Sequence, residues 1–299
     1  MPITWTMMGR LVALLLAVSV CGGCGELRGR KKIQEGTAAY KRGDFATAVQ
    51  RFHEAAAFVP QMPLLWLNLG YACRELIIPG GPPEQNRVPA QCALEAFKNL
   101  RELAPDDPRG DHLYVQTLFD AGEYRTIERT FSLRHEKNPQ DLDVILALQQ
   151  VYVKTGRWRD ALVFYRKAAA LRPQDPEAAY AVGTFIWQTL VAHGGGPAAD
   201  AYDPRPRPEG VDPATLPPRA PRPALAPGDI TGRERVALAE EGIHALERAV
   251  DLRPHYPDAL TYTGLLYRQQ SFALWDDLPA WGHAIDQATA LSARAAEKP

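Results

Sequence analysis

Small and large apolar side chains recur along this chain at three- and four-residue intervals, the spacing that lines one face of a helix. Residues 43–60, GDFATAVQRFHEAAAFVP, carry Gly43, Phe45, Ala48, Phe52, Ala55 and Pro60. Residues 156–173, GRWRDALVFYRKAAALRP, carry Gly156, Trp158, Ala161, Tyr165, Ala168 and Pro173 at the same offsets. Looser copies are GEYRTIERTFSLRHEKNP from Gly122, QCALEAFKNLRELAP with Ala93, Phe97 and Pro105, and GIHALERAVDLRP with Gly242, Leu246, Ala249 and Pro254. A second amphipathic stretch precedes each phrase: PLLWLNLGYAC, DVILALQQVYVKTG, AAYAVGTFIW and ALTYTGLLYR among them. Small residues let a neighbouring helix approach, aromatics fill the gap, Gly permits the turn, and Pro stops the second helix. The pattern predicts an all-α chain of antiparallel helix pairs, recurring about every thirty-four residues where undisturbed.

The Trp, Leu-Gly, Tyr, Ala, Phe, Ala, Pro order of these residues resembles the tetratricopeptide repeat. Six units follow, at about 29–62, 63–107, 108–141, 142–175, 176–256 and 257–299. The resemblance implies an α-solenoid wound as a right-handed superhelix, with the first helix of each pair on its concave wall. It also implies an extended peptide or partner helix bound on that wall. The corresponding side chains are Tyr40, Lys41, Tyr71, Arg74, His112, Gln116, Phe119, Gln150, Lys154, Tyr180, Trp187, Gln188 and Arg268. Rings supply contact area and amides pair with a peptide backbone. For each residue singly, packing against the next unit is the competing reading. The family's chaperone-tail clamp uses Lys and Asn at inner positions where this chain has Ile33 and Thr37, so that role is not expected.

Two interruptions break the register. IIPGGPPEQNRVPA splits the second unit, and a proline-rich stretch at residues 193–231 splits the fifth. The proline density of the longer insert forbids helix and favours extended, solvated backbone, so it is expected to be disordered. It is either a docking strand that lies over the repeats or a tolerated insertion at a helix-helix turn. Cys73 and Cys92 bracket the shorter interruption. They are either bridged, if the protein is exported, or small buried thiols.

The first residues follow another rule. Arg10 precedes the apolar run LVALLLAVSV, too short to span a bilayer comfortably, and CGGCGE follows. This resembles a bacterial lipoprotein signal: residues 1–23 would be removed, Cys24 lipidated, and residues 24–28 would form a tether. Gly22 and Gly23 favour Cys24 over Cys21. Gly25 after the lipidated residue implies the outer membrane, facing the periplasm of a bacterial envelope. Arg28, Arg30, Lys31 and Lys32 would then sit beside anionic head groups; the opposing reading is an uncleaved anchor with that charge on the cytoplasmic side. The repeats then occupy 29–192, the insert 193–231, and the second helix of repeat five with a degenerate sixth repeat 232–299.

Composition narrows the function. The 299 residues carry a net charge of −1, which suggests no broad grip on nucleic acid. The seven histidines form no helical metal pair beside a Glu, and HGGGPAAD lacks the Lys-Ser/Thr of a phosphate loop. No G-x-S-x-G nucleophile accompanies HGGG. No catalytic residue, cofactor, metal or small-molecule substrate is therefore expected. The expected function is a non-enzymatic scaffold that binds a protein or peptide, with a membrane contact through the N-terminal lipid. Its rivals are a lipoprotein whose groove is covered by its own proline-rich loop and an enzyme that docks substrates on the repeats.

Overall fold

The computed structural model describes residues 25–78, 80–207, 209–210 and 218–297. The signal segment, Cys21 and Cys24 lie outside the described residues. Among those described there are thirteen helices and no strand: α1 (25–41), α2 (Phe45–Ala56), α3 (Pro63–Arg74), α4 (Pro83–Leu103), α5 (Pro108–Asp120), α6 (Tyr124–Lys137), α7 (Leu142–Lys154), α8 (Trp158–Leu171), α9 (Pro176–Ala192), α10 (Pro197–Asp200), α11 (Gly232–Leu252), α12 (Pro257–Ser271) and α13 (Leu278–Ala296). The all-α expectation holds. The chain forms two compact units that part within α6, between Thr130 and Phe131.

Punctuation in the sequence becomes caps and turns. Gly43 and Gly156 take φ of 77° and 70°, a left-handed turn that a side chain would strain, and each begins the reversal from a first helix to its partner. Pro follows the second helix of a pair, and before α5, α7 and α9 an Asp then caps the next helix. The Asp141 carboxylate accepts from Val144 N–H, and Asp175 accepts from Glu177 N–H just before Pro176 opens α9.

Pairing rests on a knob and a hole. In the first unit Gly70 of α3 faces the Phe97 ring of α4, and any Cβ at Gly70 would overlap that ring. The second unit repeats the device with Gly183 of α9 and Leu246 of α11, although the insert lies between them in sequence. The first unit's core joins Ile33, Phe52, Leu65, Leu69, Phe97 and Leu100. Ile33 thus belongs to the core rather than to a binding wall.

The long insert departs from the structureless segment its composition suggested. Residues 197–200 form α10, and Ala199 is buried with Trp275 and Trp281, joined by Tyr202. Proline excludes long helix but leaves single side chains free to pack. The Arg205 guanidinium lies over the Trp281 ring, Arg222 over Trp275, and Arg222 also pairs with Asp276 at 2.7 Å. At the insert's far end Ile230 is 2 % exposed, next to an equally buried Arg235. Arg235 donates to Ile230 O, Leu190 O, His193 O and Gln269 Oε1, and so ties α9, α11 and α12. Burial lowers its pKa to about 10.

Candidate functional site

In the first unit, α1, α3 and α5 lie side by side through polar ties near their C-terminal ends. Tyr40 donates its hydroxyl proton to Glu75 Oε1 at 3.2 Å. Arg74 reaches the next helix, donating to Gln116 Oε1 at 3.2 Å and Asp120 Oδ2 at 2.6 Å. Its side chain is only 18 % exposed, so packing claims most of it. Partial burial, followed by the Glu75 charge, raises the Tyr40 phenol above its usual range.

Between α1 and α3 these ties leave a cleft of about 280 Å³, lined by Thr37, Tyr40, Phe52, Asn68 and Tyr71. Phe52 is the apolar floor, at 1 % exposure. Tyr71 stands edge-on to Phe97, 6.1 Å between ring centres, which fixes its ring. Two phenols, an amide and a hydroxyl around an apolar floor offer contact area together with backbone hydrogen bonding. Lys41, His112 and Gln116 are exposed, while Phe119 is half-buried against Tyr124.

The second unit has its own aromatic strip. Tyr180 and Trp187 of α9 both meet Tyr262 of α12 edge-on, with ring centres 5.7 and 5.0 Å apart. Tyr180 also stacks on Tyr256, whose hydroxyl donates to Glu177 Oε2 at 2.8 Å. Burial and that acceptor raise the Tyr256 phenol. Gln150, Lys154 and Gln188 are exposed, whereas Arg268 is turned to Asp200 of the insert at 3.1 Å. The sequence reading missed Tyr256 and Tyr262, Asn68, and the partners Glu75 and Asp120. Tyr262 was findable, since it follows two positions after Leu260 in ALTYTGLLYR, a stretch already assigned to a first helix. The carboxylate partners carry no pattern in sequence.

Cys73 of α3 and Cys92 of α4 have Cα atoms 5.9 Å apart, and their sulfurs are paired as a disulfide. A separate cleft of about 550 Å³ runs along α4, lined on one side by Arg87, Gln91, Glu95 and Lys98 and on the other by Tyr114 and Glu123. Among the described residues no three His, Cys, Asp or Glu side chains converge as a metal set. No helix among them is long and apolar enough to cross a membrane.

Residues 33–76, which hold the whole tyrosine-lined cleft, match the family model described as tetratricopeptide repeat. That segment is a tetratricopeptide repeat. No curated protein matches it. Similar solved structures include a MamA RS-1 ArsTM double mutant, 16 % identical, covering 79 % of this chain and 97 % of that one, with a TM-score of 0.40. An IFIT1 monomeric mutant with m7Gppp-AAAA is 16 % identical with a TM-score of 0.38; the match covers 99 % of this chain but only 58 % of IFIT1. MamA from Desulfovibrio magneticus RS-1 is 14 % identical over 91 % of this chain and 98 % of its own, at 0.27. All three scores are below 0.5, so the assignment rests on the matched segment and on the hairpins themselves.

Proposed function

We propose that this tetratricopeptide-repeat protein is a non-enzymatic scaffold, lipid-anchored through Cys24 in a bacterial envelope, that holds an extended peptide of a protein partner. The observation that carries the reading is the cleft where Tyr40 and Tyr71 flank Phe52, with Thr37 and Asn68 at hand for backbone groups. An outer-membrane, periplasm-facing address follows from the signal-like segment and from Gly25 after Cys24. Assembly of an envelope machine, such as a pilus, secretion system or outer-membrane complex, is the setting that address suggests. The paired Cys73 and Cys92 suit an oxidising compartment.

A second reading has a specific observation behind it in the second unit. Asp200 occupies Arg268, and Arg222 and Arg205 lie on the Trp275 and Trp281 rings, so the insert itself covers that end of the repeats. The intact chain and a Tyr40→Ala/Tyr71→Ala variant are to be compared by affinity capture from envelope extract. A Trp187→Ala/Tyr262→Ala variant serves as a third arm. The first-unit variant is expected to lose the captured partner while the second-unit variant keeps it. Identical capture by all three removes the cleft assignment, and loss only in the third moves binding to α9 and α12.

A further inference from the structure

One end of the first unit carries apolar surface that the repeats leave uncovered. Leu27 is 71 % exposed, Leu64 55 % and Phe58 41 %. They come from three elements: the start of α1, the end of the α2 hairpin and the start of α3. Gly29 lets the start of α1 close on the end of the α2 hairpin, because a Cβ there would stand 3.1 Å from Phe58 Cβ and closer still to the Val59 side chain. An open cleft of about 520 Å³ joins Glu26 to the loop from Phe58 through Met62 to Pro63. Arg28 and Lys31 are exposed on the first two turns of α1, beside Leu27. Neighbouring cations are engaged otherwise: Arg30 with Glu26, and Lys32 with Glu35 and Glu54.

This patch lies within a few residues of Cys24, at the point where the chain leaves its apolar leader. Apolar side chains fringed by cations, next to a lipidated residue, match the layered chemistry of an anionic bilayer. Leu and Phe enter the acyl boundary while Arg and Lys meet phosphate.

We infer that Leu27, Phe58 and Leu64, with Arg28 and Lys31, form a docking surface that seats the first repeat on an anionic lipid bilayer. The inference rests on the lipid-anchor reading above and adds an orientation to it. Anchoring by the lipid alone would leave the repeats free to tumble on their tether; this contact holds the first unit with the far end of α1 directed away from the lipid.

The test uses the full chain reconstituted into vesicles of phosphatidylethanolamine and phosphatidylglycerol. An environment-sensitive fluorescent amino acid replaces Phe58, or Ala46 as a control at the start of α2, about 18 Å away by helix rise. A lipid-borne quencher is placed at the acyl-headgroup boundary. The chain is expected to float with the vesicles, with emission at position 58 blue-shifted and lost to the quencher, and position 46 unaffected. Arg28→Glu/Lys31→Glu is expected to abolish quenching at 58 while the chain still floats. Flotation without quenching at 58 overturns the docking surface and leaves the anchor standing. A blue shift immune to the quencher also overturns it, by assigning the patch to a segment of this chain or to a second copy. Failure to float overturns the anchor and the docking surface together.

Discussion

His135 Nε2 lies 2.7 Å from the Lys167 ammonium, with the imidazole against the Phe164 ring. The ammonium donates to this nitrogen, which fixes the proton on Nδ1, a buried atom without a hydrogen-bond partner. Protonating His135 would face one cation with another in a half-apolar site. Burial first, and the Lys167 charge second, therefore lower its pKa from the usual 6.5. The sign follows from proton counting. As the pH falls below 6.5 the unfolded chain takes up a proton that the folded chain refuses, so folding stability falls with pH. Thermal unfolding of the wild type is expected to lose more stability across that window than His135→Gln. Parallel pH profiles for the two proteins would remove the imidazole from the account. Pairings of this kind are illegible beforehand: His135 and Lys167 sit on different helices, 32 positions apart. The same holds for Arg74, which the sequence assigns to the first-helix wall without any sign that Asp120 would claim its guanidinium.

The helices themselves were legible because their determinants are local. Gly43 and Gly156 turn, Asp141 and Asp175 cap, and Pro60 and Pro173 stop, each within a few residues of the helix it governs. The proline-rich insert was not legible in this way. Its order comes from distant partners, Trp275 and Trp281 for Ala199 and Tyr202, and the Arg235 guanidinium for Ile230 O. Composition predicts what a segment cannot build alone, not where it will lean. The two tryptophans are 8 % and 6 % exposed, so replacing Trp275 by Ala should cost about 3–5 kcal/mol if the site does not collapse. The Arg222–Asp276 pair, more than half exposed, adds little beside it. Limited proteolysis is expected to cut within 218–231 in Trp275→Ala and to spare that stretch in the wild type. Tyr202→Ala, which leaves the α12–α13 turn intact, should open the same sites with a smaller fall in melting temperature. Equal cleavage in all three proteins would show that the rings do not hold the insert.

At the scale of the whole chain, the described helices are distributed over two compact units. In a repeat array stability is a sum of local pairings and nearest-neighbour terms. A lesion should therefore report its own neighbourhood first. Gly70 and Gly183 allow a matched comparison, because each receives a side chain of its partner helix, Phe97 in the first unit and Leu246 in the second. A Val at either position overfills the hole, at a cost of about 1–3 kcal/mol. Hydrogen exchange on Gly70→Val is expected to rise in α3 and α4 while α9, α11 and α12 keep their protection; Gly183→Val should give the reverse. The second variant carries an additional expectation, since α9 ends at the carbonyls that Arg235 holds: exchange and proteolysis should increase together around Ile230. If either substitution lowered protection uniformly from α2 to α13, the chain would be unfolding as one body. The tyrosine-lined cleft in the first unit and the aromatic strip in the second would then have to be treated as a single thermodynamic site.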